Sequence, residues 1–347
     1  MNATEPMQQR RDFSFTGAAG EYFKIWIVNL GLSIVTLGIY SAWAKVRRKR
    51  YFYGNTWLDG AAFEYHANPI SILKGRLIAI AAFVLYAFAG EVSPFLGLAF
   101  GVAFLGALPW IITRSLAFNA RNSSYRNVRF DFLGKKGDAA GAFVLAPILI
   151  GATLGVLFPW VVHKQKRFVM SNHAFGKTQT RFHANNRSFY AIYGWAFAMF
   201  VLVALAAGIA ATRLLPAVEG AAEPFGRAAA LALVGVLVYA GFLGTRGFIQ
   251  ARLTNLVWAS TSLEDSRFES RLEAGPLAWI YVSNALAILV TLGLLIPWAA
   301  VRTARYRVER LSVISSQDLN MFVAATKAKV ESAGEELADM FDVEVAL

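Results

Sequence analysis

Residues 36–43 read TLGIYSAW, residues 153–160 read TLGVLFPW, and residues 291–298 read TLGLLIPW. The second and third copies lie 117 and 255 residues after the first, and the same offsets keep other positions in register. Arg50-Tyr51 falls on Arg167-Phe168 and Arg305-Tyr306, and Phe13 falls on Phe130 and Phe268. Gly17, Gly20 and Glu21 fall on Gly134, Gly137 and Asp138, Asn29 on Asn284, and His66-Ala67-Asn68 on His183-Ala184-Asn185. A fixed period held over so many positions predicts a chain built from internal repeats. The division is a tail at 1–12, units at 13–129 and 130–267, a partial unit at 268–316, and an acidic tail at 317–347.

The surrounding composition states where such a chain lives. Of 347 residues, 56% are hydrophobic and 16% charged, against about 25% charged in an ordinary soluble domain. Mean hydropathy is +0.46. Lys and Arg number 34 against 22 Asp and Glu, a net charge of +12. This combination excludes a plain cytosolic globule and a disordered chain, and predicts a multipass membrane protein with cationic loops. There is no Cys, which excludes disulfides and thiolate chemistry. The first residues, MNATEPMQQRRDFSF, contain no apolar stretch of the signal-peptide kind.

A membrane-crossing helix takes about 20 apolar residues. Seven stretches are candidates: 25–44, 77–89, 95–112, 139–162, 189–212, 228–244 and 277–301; the second is short, and Ile72, Leu73 and snorkelling Lys74 and Arg76 extend it. The expected fold is therefore an all-α multipass membrane protein. It has about seven hydrophobic segments in internal repeats, short cytoplasmic strands, and a C-terminal amphipathic helix. The strands are suggested by the alternating pieces Asn55–Tyr65, Asn122–Phe132 and Ser260–Glu269. The tail helix is suggested by the stripe Leu319, Phe322, Val323, Val330, Leu337, Met340 and Phe341. Cations follow the first, third, fourth, sixth and seventh segments, which assigns those stretches and the C-terminus to the cytoplasm.

The repeat conflicts with that assignment. If every TLG segment crosses, the cations after Trp43 and after Trp160 face opposite sides. Re-entrant TLG segments remove the conflict, because each unit then crosses an even number of times; three ordinary spans in inverted repeats are the competing arrangement.

The motif TLGIYSAWAKVRRKRYFYGNTWLDG, followed by FEYHANP and preceded by FSFTGAAGEYF, resembles the YjgN-like family of bacterial inner-membrane proteins over residues 13–310. The resemblance implies a location in the bacterial inner membrane. The family has no assigned activity, so it carries no catalytic residue onto this chain.

The candidate chemistry is sparse. Arg47/Arg50, Lys164/Arg167 and Arg302/Arg305 are cation pairs one turn beyond each Trp, placed to contact an anion or a lipid head group; topology anchoring is the plainer reading. Asn29 and Asn284 are candidate intramembrane polar residues, with helix packing as the plainer role. His66 and His183 occupy matching positions, so a pair of them could bind metal or sense pH; polar surface residues in strand-like pieces are the plainer reading. No nucleophile elbow, phosphate loop or metal-protease motif is present, so no catalytic, cofactor or metal residue is expected and the chain is read as non-enzymatic. Expected partners are membrane lipids and a second copy of the chain, with no nucleic acid. The leading function is transport or permeation of a small anionic solute or lipid. The alternative is a non-transporting scaffold or lipid-binding module with a basic cytoplasmic face.

Overall fold

The computed structural model describes residues 9–219, 224–316 and 323–326. Most of the stripe expected to form the C-terminal helix lies outside them. Only residues 323–326 of that tail are described; they are helical, and Val323 is buried.

Five pairs of helical segments alternate with strands. Strand β1 (Gln9–Phe15) leads into α1 (Ala19–Val35) and α2 (Ser41–Gly54). Then β2 (Thr56–Leu58) and β3 (Ala61–Tyr65) precede α3 (Pro69–Val92) and α4 (Pro94–Arg121). Next, β4 (Ser123–Tyr125) and β5 (Val128–Phe132) precede α5 (Lys136–Ala140), a π-helical turn at Gly141–Leu145, α6 (Ala146–Ala152) and α7 (Phe158–Ser171). Strands β6 (His173–Phe175), β7 (Thr178–Gln179) and β8 (Arg181–Phe182) precede α8 (Asn186–Glu219) and α9 (Pro224–Ala259). Finally, β9 (Thr261–Leu263) and β10 (Ser266–Ser270) precede α10 (Ala274–Val290), α11 (Ile296–Val308) and β11 (Leu311–Ser315).

All eleven strands join one antiparallel sheet in the order β7-β6-β5-β4-β3-β2-β1-β11-β10-β9-β8. Its two outer members, β7 and β8, are separated only by Thr180, so the sheet closes on itself through one interrupted strand. Closure removes the exposed edges that strands of two to seven residues could not otherwise protect. The pairing rule is the same around the ring. The first residues of β3 and β5 pair back within their own hairpins, and the last residues pair with the next hairpin. Each junction ends on one further backbone bond, Thr16 N to Asn55 O (3.0 Å), His66 N to Asn122 O (2.8 Å), Leu133 N to Asn172 O (2.8 Å), His183 N to Ser260 O (2.9 Å) and Arg271 N to Arg310 O (2.9 Å).

Four two-residue turns close the hairpins at Asp59-Gly60, Arg126-Asn127, Gly176-Lys177 and Glu264-Asp265. Asp59 and Gly60 both have positive φ, as do Arg126 and Asn127, the backbone that matches strand twist in tight hairpins. This topology puts the hairpin turns on one rim of the ring and the strand–helix junctions on the other. Phe13, Leu58, Tyr125, Val128, Phe175, Leu263, Val313 and Val323 form one buried cluster. Alternation along β1, with Phe13 and Phe15 buried and Ser14 exposed, is what half-buried strands require.

The expectation of an all-α chain with seven spans is overturned. The ring is a principal element of the fold, and among the described residues four helical stretches, Pro69–Val92, Pro94–Arg121, Asn186–Arg213 and Ala228–Ala259, are long and apolar enough to cross a membrane. They lie in two hairpins, α3–α4 and α8–α9. The other three apolar stretches fail as single spans because each breaks at its TLG motif. The Leu of the motif is left-handed in each (Leu37 φ 48, Leu154 φ 49, Leu292 φ 48), and so is the following Gly (φ 89, 89 and 93). The Thr side chain holds the turn from both sides. Thr36 Oγ1 donates to Leu32 O (2.7 Å) and accepts from Tyr40 N (2.9 Å). Thr153 and Thr291 bond four residues back and four forward in the same way. The Gly N–H reaches back five residues, to Ser33 O, Ile150 O and Ile288 O, a helix-terminating bond. A hydropathy window sees only apolar residues here, whereas the backbone makes a helix, a hairpin tip and a second helix.

Candidate functional site

The sequence-predicted cations are held by polar partners to different degrees. Arg47 donates to Asn29 Oδ1 (3.4 Å) and the Tyr40 hydroxyl (3.3 Å). Arg302 donates to Asn284 Oδ1 (3.1 Å) and Ser283 Oγ (2.6 Å). Asn284 in turn donates to Thr303 Oγ1 (3.0 Å) and Ala299 O (3.3 Å). So Asn29 and Asn284, both buried, each tie the outgoing helix of a TLG pair to an Arg on the returning one. Arg50 donates to Tyr65 O (3.2 Å) and Arg305 to Gly17 O (2.8 Å), fixing helices to strand ends. Lys164 lies 4.9 Å from the Trp160 ring centre, and Arg302 lies 5.0 Å from that of Trp298. Arg167 has no hydrogen-bond partner among the described residues. Arg302 and Arg305 also border a 480 Å³ groove with Trp279, Trp298 and Glu309.

The histidines are not brought together. His66 Nε2 is hydrogen-bonded to Ser124 Oγ (2.7 Å) and lies 3.3 Å from Glu64, while His183 heads a different junction of the ring. Among the described residues no group of three His, Asp or Glu is placed to hold a metal ion.

A different set of cations converges. A cavity of 980 Å³ opens between α1, α2, α10 and α11, with one contribution from α3. Lys45, Arg48 and Lys49 of α2, Arg76 of α3 and Arg307 of α11 line it, together with Asn29, Ser33, Asn284 and Thr303. Its apolar wall includes Trp26, Leu30, Ile288 and Ile296. No acidic residue lines it, and none of the five cations makes an ion pair among the described residues. The contrast with the ring is sharp: Arg126 pairs with Asp59 (3.0 Å), Arg121 with Asp131 (2.7 Å) and Arg310 with Glu273 (2.6 Å).

Helix geometry explains the convergence. Lys45, Arg48, Lys49 and Phe52 follow i, i+3, i+4 and i+7 spacing on one face of α2. Lys49 donates to Asn119 Oδ1 (2.5 Å) and lies 4.6 Å from the Tyr65 ring centre. Burial, then the neighbouring Lys45 and Arg48, push its pKa below the ordinary lysine value. Lys166 on α7 is lowered in the same direction by burial and by Arg307. A bound anion would neutralise this repulsion. The sequence reading takes only Arg47 and Arg50 as site residues and counts Lys45, Arg48 and Lys49 among the cytoplasmic cations. The usable signal was their lack of general recurrence. Lys45 and Arg48 fall on Val162 and Gln165 in the second copy, and all three fall on Ala300, Thr303 and Ala304 in the third. Cations that serve only to anchor topology should recur.

A family model described as "Bacterial protein of unknown function (DUF898)" matches residues 10–340. The chain belongs to that family. Relatives named "Inner membrane protein YjgN" are similar over part of its length. The Escherichia coli O157:H7 protein is 33% identical over 150 residues, covering 42% of this chain and 37% of the relative. That of Salmonella typhimurium is 31% identical over 147 residues, covering 41% and 36%. The aligned segment thus spans little more than a third of each relative's length. No solved structure matches. Family membership agrees with the resemblance read from TLGIYSAW and its flanks, and the relatives' names and the four long apolar helices agree on a membrane protein of unknown function.

Proposed function

We propose that this DUF898 protein binds the acidic head group of a membrane lipid at the cytoplasmic leaflet, in the cation-walled cavity. The carrying observation is five cations without an acid on the wall of one 980 Å³ cavity whose remaining wall is largely apolar. Phosphate oxygens accept charge-assisted hydrogen bonds from Lys and Arg, and acyl chains suit the apolar side.

The TLG hairpins supply the depth. Leu37, Leu154 and Leu292 at their tips are 94%, 96% and 94% exposed, which suits hydrocarbon rather than water. Each returning helix meets a cation within two turns, at Lys45, Lys164 and Arg302, roughly 6–9 Å along the axis from its first residue. A hydrocarbon core is about 30 Å thick, so a tip at the far side would bury those charges. We therefore read the three TLG hairpins as re-entrant and the two long hairpins as crossing and returning. Every strand–helix junction then lies on one side, which the positive-inside rule makes cytoplasmic. Binding is favoured over transport because the cavity wall comes from the short hairpins; of the four long helices only α3 contributes, through Arg76.

The test is retention of lipid by the purified protein, read by native mass spectrometry from nanodiscs of phosphatidylglycerol and phosphatidylcholine. The expected result is preferential carry-over of phosphatidylglycerol, reduced at least tenfold in a Lys45→Gln, Arg48→Gln, Lys49→Gln variant. Inorganic phosphate should compete weakly. Equal retention of both lipids, or no effect of the variant, contradicts the proposal; full displacement by millimolar phosphate identifies a free-phosphate site instead.

A further inference from the structure

A second cavity lies inside the strand ring, and its lining shares no residue with the cation-walled one. It measures 320 Å³ and is bounded by strand residues such as Phe63, Phe130, Phe268 and Val313, with Met170 and Trp258 on the helix side. It extends from Leu58 and Leu263, beside the hairpin turns, to these two helix residues at the opposite rim. Val323 packs in the cluster with Leu58, Tyr125 and Leu263, at the turn end.

The hydroxyls that line the chamber are committed elsewhere, that of Tyr125 to Leu58 O (2.7 Å). Thr261 Oγ1 donates to Val257 O (2.7 Å), Ser266 Oγ to Ser315 Oγ (3.1 Å), and Thr180 Oγ1 to His173 O (3.0 Å). His173 Nδ1 is bonded to Val169 O (2.7 Å), which leaves Nε2 as its open polar atom. Ordered water needs two to four polar partners, so this space does not suit water. An apolar void of about 150 Å³ accepts the six carbons of benzene; by that scale 320 Å³ takes roughly twelve. The volume also falls within the range of ligand pockets, about 300–1,000 Å³. The chamber's lining runs from one rim of the ring to the other, which gives a chain room to extend. At the rim next to the helices the chamber is lined by Met170, Trp258 and His173, the first residue of β6. Lys166 stands four residues before Met170 on the same face of α7, one turn beyond the chamber's own lining toward the TLG turn.

We propose that the strand ring holds one hydrocarbon chain of a fatty-acid-type amphiphile, of up to about twelve carbons, with its acidic end at His173 and Lys166. This site does not depend on lipid head-group binding in the other cavity, and the probes below carry no phosphate.

The test is calorimetric titration of full-length protein in amphipol with alkanoates of eight to eighteen carbons. Affinity should rise about threefold to fourfold per CH₂ up to roughly twelve carbons and then fall. Dodecanol, which carries no charge for the cation-walled cavity, should bind once per chain, and Lys166→Gln should weaken dodecanoate at least fivefold while leaving dodecanol unchanged. Leu263→Trp and Val313→Phe, which fill the chamber, should abolish binding without lowering the melting temperature of the ligand-free protein. If a filling variant does not fold, the chain-length series on the unaltered protein decides. Affinity that climbs steadily to eighteen carbons, or folded filling variants that bind normally, overturns the chamber; equal loss of dodecanol and dodecanoate in Lys166→Gln overturns the placement of the acidic end.

Discussion

Lys49 shows how one residue can oppose stability while serving a site. Burial and two like charges depress its pKa, and a depressed lysine pKa means that the folded state binds its proton less firmly than the unfolded chain. The unfolded chain therefore carries more protons between the folded value and 10.5, so stability rises with pH through that window, and the cost is fully present below it. Lys49→Met is expected to raise the thermal midpoint of lipid-free protein near neutral pH and to flatten its rise toward pH 10. The same change should reduce retention of phosphatidylglycerol. A lowered midpoint would show that the Asn119 and Tyr65 contacts outweigh the repulsion. Arg47 and Arg302 also have Asn partners, Asn29 and Asn284, but each of those ties the two helices of one TLG hairpin together, whereas Lys49 reaches Asn119 on α4.

At the scale of elements, the TLG turn makes a prediction with two signs. Gly155 has φ +89 and an added Cβ would meet nothing within 4 Å, so Gly155→Ala costs only backbone strain, about 1–2 kcal/mol. Gly151, four residues earlier and in α6, also has open space around it but lies in a helix, where Ala is favoured by about 0.5–1 kcal/mol. Melting of the two variants in one detergent should therefore move in opposite directions. The two residues are indistinguishable to a hydropathy count, and that explains why three apolar stretches read as spans. The motif was visible in the sequence and its recurrence was clear; its meaning as a turn needed the left-handed Leu and the two-sided Thr bonds. The strands were legible only as alternating fragments. TWL and TSL are three residues long, and the second strand of a hairpin shares its bonds with a neighbour far along the chain, as Phe63 does with Tyr125. Closure depends on Thr180 splitting one strand between β6 and β9, which no local pattern announces. The cavity cations were legible as charge but not as a site, since their convergence depends on α10 and α11 meeting α1 and α2.

For the whole molecule, the ring and the helical hairpins form one argument. Strands that leave and re-enter at a single rim allow only an even number of crossings between successive junctions, which the two long hairpins satisfy and the three short ones satisfy by turning back. This removes the conflict between recurring cations and alternating sides. In the proposed topology it also gathers most of the net charge of residues 1–317, which is +17 after the acidic tail's −5, at one membrane surface, with Glu91 and Arg213 on the other. The absence of Cys from the chain makes that account directly measurable. Single cysteines placed at Asp59, Lys177 and Asp265, in three turns of the ring, can be labelled with a membrane-impermeant maleimide in intact cells and in inverted vesicles. The account predicts that all three react only in inverted vesicles. Labelling of Lys177→Cys from the opposite side to Asp59→Cys would mean that the TLG segments cross the membrane, and would contradict the one-sided ring.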